Sequence, residues 1–97
     1  MHTITPTQVS FDPAKNETNI RHRQLPFTLV EQFKWATAVI EEDTRNNYGE
    51  RRFRVLGFIG ERLHALVFTP RAGKLHVISL RKANPREVKR YEKAPQP

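Results

Sequence analysis

Ninety-seven residues with a hydrophobic fraction of 37% allow one folded domain with one modest core and exclude a second. The absence of cysteine removes disulfides and thiolate metal sites, and no apolar run approaches the roughly 20 residues that span a bilayer. A net charge of +7 and a pI near 10.4 point to an anionic partner, a phosphate backbone being the commonest and an acidic protein the alternative.

Residues 1–8 are polar and read as a loose arm without the basic and apolar blocks of a signal peptide, so a cytoplasmic protein is expected. Val9-Ser10-Phe11 alternates as a short strand. Asp12 and Pro13 then suit the N-cap and first position of a helix running to about Arg23. On it Lys15, Asn19, His22 and Arg23 recur at helical spacing and could line one side, either as a site or as a solvated face. Leu25-Pro26-Phe27 breaks that helix. Thr28 with Glu31 reads as a capping box for a second one, whose Leu29, Val30, Phe33 and Ala36 form an apolar face. Trp35 is a core anchor or a partner contact, and the core is favoured because a large aromatic buries so much area.

Thr37 to Glu42 suits a strand, ending in the one acidic cluster of the chain, Glu41-Glu42-Asp43. Neighbours on a strand face opposite ways, so this spacing disfavours a metal site. Thr44 to Gly49 is a polar loop. Three strands follow, Phe53–Ile59, Leu63–Thr69 and Leu75–Leu80, joined by loops short enough for antiparallel hairpins, with Arg71 in the second loop. Asn84, Pro85 and Glu87 mark a well-capped terminal helix, and residues 94–97 a frayed tail. From Arg71 to Lys93 eight Lys or Arg stand against Glu87 and Glu92, so +6 of the net charge lies there. One domain over residues 1–97 results, of α+β class: an antiparallel sheet with two N-terminal helices and one C-terminal helix.

Strict alternation on the last strand puts Leu75, Val77, Ser79 and Arg81 on one face. Arg52 and Arg54 share a face of an earlier strand. Guanidiniums converging on a sheet would form a phosphate site, and Tyr91 could fold back over it. The alternative is a set of solubilising arginines. Glycine-rich phosphate loops, histidine pairs at ligand spacing and nucleophile elbows are missing. No cofactor is called for, and His64 and His76, as lone strand histidines, read as structural.

The ordered residues nevertheless resemble the BrnT family of bacterial toxins. Phe11-Asp12, Lys15 and Asn19 match its opening element, with Phe27 eight positions after the asparagine. Glu50-x-Arg52-Phe53 with Gly57, Thr69-x-Arg71, and Ile78-Ser79-x-Arg81-x-Ala83 with Glu87 and Tyr91 match the rest. Two departures stand out. The family's Lys-His-Gly after the first helix is replaced by His22-Arg23-Gln24, which displaces the histidine by one residue, and Phe11 stands where Trp is commoner.

This resemblance implies a RelE-like fold and an endoribonuclease of a type II toxin–antitoxin module. It would be held inactive by a cognate BrnA-like antitoxin, a ribbon-helix-helix protein through which alone operator DNA would be contacted; no membrane is involved. A metal-free route suits the residues, with the ribose 2′-hydroxyl attacking the adjacent phosphate. Glu50 or His22 would be the base and Arg52, Arg71 and Arg81 the charge stabilisers. Lys15 or Tyr91 would position RNA or supply a proton, and Arg23, Arg54, Lys82 and Arg86 would bind RNA. The rival readings are a non-catalytic RNA-binding module and a domain whose charge docks an acidic antitoxin segment.

Overall fold

The computed structural model, which describes residues 8–95, builds nine elements in order. They are β1 (Val9–Phe11), α1 (Pro13–Arg23), two 3₁₀ turns (Phe27–Gln32 and Trp35–Thr37), β2 (Val39–Asp43), β3 (Arg52–Ile59), β4 (Arg62–Arg71), β5 (Lys74–Lys82) and α2 (Pro85–Lys93). The rest of the expected N-terminal arm and the last two residues of the tail lie outside the described span. No described helix is long and apolar enough to cross a membrane.

The five strands form one sheet in the order β1-β5-β4-β3-β2. The meander β2 to β5 is antiparallel as expected, but β1 pairs parallel to β5, Ser10 standing opposite His76. The sheet is therefore mixed. The meander leaves the outer edge of β5 unpaired, and β1 fills the first half of that edge. Asn19 on α1 serves the second half, its amide donating to the Leu80 carbonyl at 3.0 Å and to Leu25 O at 2.8 Å.

The α+β class is as expected, but the second N-terminal α-helix of the expected arrangement does not form. Two 3₁₀ turns take its place, and Thr28 and Glu31 make no capping box; Pro26 occupies the cap position without a side-chain bond. The apolar spacing explains this. Phe27, Val30 and Phe33 recur every third residue, and all three are buried. Side chains three apart eclipse in a 3₁₀ turn, so this geometry seats each of them in the core. Trp35 is buried as expected.

A bulge corrects the assumed alternation on β5. Val67 pairs with Ser79 and Phe68 with Val77, which leaves Ile78 as the extra residue. Leu75, Val77 and Leu80 consequently all enter one core. Ser79 and Arg81 lie on the opposite face with His76, and Arg81 does not share a face with Val77. The β4–β5 connection is also tighter than expected. Arg71 pairs with Lys74 at the end of β4, and Ala72 (φ 53°) and Gly73 (φ 75°) make the turn.

One face of the sheet carries the main core, where Phe27, Val30, Phe33 and Trp35 meet Val55, Leu66 and Leu80. On the other face α2 packs Val88 and Tyr91 over Leu56, Leu63 and Ala83. Asp12 caps α1, accepting from Ala14 N–H at 2.9 Å, and the full Asn84–Glu87 capping box opens α2. Because α2 covers only the Phe58 end, the remainder of this face stays open. Register places Arg52, Arg54, His76, Ser79 and Arg81 on it, none of them fully buried.

Candidate active site on the open sheet face

The expected site residues fall into three groups. The tightest lies where β3 begins and β4 ends. Glu50 accepts from Arg71 Nη2 at 2.9 Å and lies 3.4 Å from Arg52 Nε. The hydrogen bond from Arg71 holds the Glu50 carboxyl below the usual carboxylate range, with Arg52 adding to the effect. Arg52 also lies over the Tyr48 ring, its guanidinium carbon 4.1 Å from the ring centre. The buried Nε atoms of Arg52 and Arg54 have no aligned acceptor among the described residues.

The second group forms a groove of about 530 Å³ between the sheet and α2. Five guanidiniums, those of Arg45, Arg54, Arg81, Arg86 and Arg90, line it against the carboxylates of Glu41 and Glu87. Arg81 donates through both terminal nitrogens to Glu87 at 2.8 Å. Glu87 Oε1 also accepts from Asn84 N–H, so one carboxylate both caps α2 and ties it to β5. The bond from Arg81 holds the Glu87 carboxyl below its ordinary value, and that same bond raises the Arg81 guanidinium. The sequence signalled the cap but not its second use.

The third group lies along α1. Lys15, His22 and Arg23 flank a shallow cleft of about 300 Å³, with Asn19, Phe27 and Ser79 in its walls. The residues expected on one side of the helix do share it. Asn19, however, is buried and spends its amide on carbonyls, while its own oxygen accepts from Arg23 at 2.9 Å.

Two expected residues stand apart. Tyr91 donates its hydroxyl to Thr37 O at 2.9 Å, and its ring meets Phe58 edge-on. Lys82 is exposed opposite His64, on the main-core face. The acidic run is spent on separate arginines: Glu41 pairs with Arg54, Glu42 with Arg51, and Asp43 with Arg45. Among the described residues no three His, Asp or Glu side chains gather as a metal site would require.

His76 belongs to this surface although it was read as structural. Its Nδ1 lies 3.0 Å from Ser10 Oγ, and Arg71, Glu50, Lys15 and Asp12 all act on its charge. Strand parity alone could not find it, because its neighbours come from α1, β4 and the loop before β3.

A model of the ribonuclease toxin BrnT, of type II toxin–antitoxin systems, matches residues 11–87. The chain belongs to this family. It is a type II ribonuclease toxin, and membership of such a family implies a cognate antitoxin as partner. The match takes in all three groups of site residues except Arg90, and Tyr91 also lies beyond it. Comparison with curated proteins gave no match.

Proposed function

We propose that this BrnT-family toxin cleaves RNA as a metal-independent endoribonuclease, binding the substrate across the open sheet face. The observation carrying this reading is the convergence of Glu50, Arg52 and Arg71 beside the arginine-lined groove of Arg54, Arg81 and Arg86. Several guanidiniums on one surface suit a run of phosphates, and each can stabilise charge as an oxygen attacks phosphorus. The metal-free route is supported by the ligand chemistry, since every carboxylate of the acidic run already serves a guanidinium. Lys15 and Arg23 extend the surface along α1.

The cognate antitoxin, of BrnA-like type with a ribbon-helix-helix DNA-binding part, would inhibit by laying acidic side chains over Arg71, Arg81 and Arg86. Operator DNA is then contacted through that partner, and the setting is the cytoplasm. Purified protein should cut RNA at an unchanged rate in EDTA. Activity lost to the chelator and restored by magnesium would overturn the metal-free route, and an antitoxin gripping only α1 would overturn direct occlusion.

A further inference from the structure

We infer that His76 is the general base of the cleavage reaction, with Ser10 holding Nδ1 and so orienting the ring to leave Nε2 for the proton. This rests on the ribonuclease reading above and names the group that reading leaves open. Glu50 is a poor base in this setting. Its two oxygens face Arg71 and Arg52, and removing a proton from a hydroxyl would require it to leave those partners. His22 stands on the exposed side of α1, in the other cleft.

His76 sits at a junction of elements. It is the cross-strand neighbour of both Ser10 on β1 and Thr69 on β4. Thr69 is fully buried and ties its hydroxyl to Arg51 O at 2.6 Å, so the floor beneath the ring is rigid. Ser10 Oγ holds Nδ1 at 3.0 Å, and no described residue bonds Nε2. A hydroxyl can accept as well as donate, and in the tautomer whose Nδ1–H donates to Ser10 Oγ the lone pair on Nε2 is left to accept a proton.

The charged groups acting on the ring are Arg71 from β4, Glu50 from the loop before β3, and Lys15 and the N-cap Asp12 of α1. Burial lowers the imidazole below its ordinary value, and Arg71 and Lys15 push the same way against Glu50 and Asp12. The ring is therefore neutral at pH 7, the state a base requires. The same two cations are placed to hold the phosphate next to the reacting hydroxyl.

In the reaction, O2′ passes its proton to Nε2 and its electron pair forms the O2′–P bond. The P–O5′ bond breaks and its pair leaves on O5′, which takes a proton from water. The products are a 2′,3′-cyclic phosphate and a 5′-hydroxyl, and the imidazolium returns its proton to solvent.

The test is single-turnover cleavage by wild type, His76→Gln, His76→Ala and Ser10→Ala across pH 4.5–8, with RNA affinity measured in parallel. Wild-type rate should rise with pH and level off below the ordinary imidazole range. His76→Gln should lose about a hundredfold or more of the plateau rate, lose that rising limb, and bind RNA within a few-fold of wild type. Added imidazole should restore part of the rate to His76→Ala. Ser10→Ala should lower the rate less and leave affinity alone. A His76→Gln enzyme that keeps its rate or its rising limb overturns this assignment while leaving the ribonuclease reading intact. A wild-type protein that binds RNA without cutting it overturns both. Should the variants fail to fold, nitrogen NMR of the wild-type ring decides: a neutral ring protonated at Nδ1 is expected, and one protonated at Nε2 at pH 7 overturns it.

Discussion

Asn19 offers the sharpest separation of support from chemistry. It lies in the family-matched segment, among the α1 residues that flank a cleft, and is easily taken for a substrate contact. Its amide instead satisfies two backbone carbonyls, Leu25 O and Leu80 O, and the residue is only 6% exposed. In Asn19→Ala both carbonyls lose their partner. An unsatisfied buried group costs about 1–3 kcal/mol, so the pair predicts a loss of about 2–6 kcal/mol. The bond that Arg23 makes is on an exposed side chain and adds little. Against a total of about 5–15 kcal/mol this is severe, and it corresponds to a melting point lower by about 10–50 °C. Asn19→Asp should be worse at neutral pH, because it sets a carboxylate against two carbonyl oxygens. Urea and thermal unfolding measure both, and cleavage by the folded fraction should stay close to wild type. A loss under about 0.5 kcal/mol, or an inactive protein that melts normally, would refute this account of Asn19.

Three further outcomes are expected. Arg81→Ala should lower cleavage by about a hundredfold if its guanidinium stabilises the transition state, whereas Glu87→Gln, which loosens the same joint, should leave the rate near wild type. Equal rate losses would make the pair structural; its contribution to stability is about 0.5–1 kcal/mol, discounted because Arg81 is 39% exposed. Gly57→Ala would drive a Cβ into the Phe33 ring and should cost about 1–3 kcal/mol in urea unfolding, with Phe33→Leu recovering part; no loss would deny the contact. Glu42, Asp43, Glu50 and Glu87 all titrate below their ordinary values because arginines hold them, so their stabilisation is complete above the unfolded-state values and is lost as pH falls from those values through the lower folded-state ones. The urea midpoint should therefore drop between about pH 5 and pH 3, and a flat profile would contradict those pairings.

Local signals in this chain were legible where chemistry is local. Asp12-Pro13 and Asn84-Pro85-Glu87 started helices where they stand, and the meander could be read from short loops between β-branched runs. What failed was nonlocal. The parallel pairing of β1 depends on an edge that exists only after β5 has formed. The 3₁₀ turns depend on the sheet that Phe27, Val30 and Phe33 press against, and capping residues at Thr28 and Glu31 could not override that packing. The bulge at Ile78 inverts strict alternation, which misassigned the face of Val77 while leaving Arg81 on the charged side. The site followed the same division. Arginine positions were visible from strand parity, but the uses of Glu50, Glu87 and His76 depend on partners 21, 6 and 66 residues away.

The central claim is that RNA itself supplies the nucleophile on this sheet face. It is tested most directly with an RNA oligonucleotide carrying one 2′-deoxy substitution at a mapped cleavage site, in EDTA, with the product ends analysed. The expected result is that the unmodified strand yields a 2′,3′-cyclic phosphate and a 5′-hydroxyl, while the substituted strand binds equally well and is not cut at that position. Cleavage of the substituted strand at the wild-type rate, or products ending in a 5′-phosphate, would contradict the account.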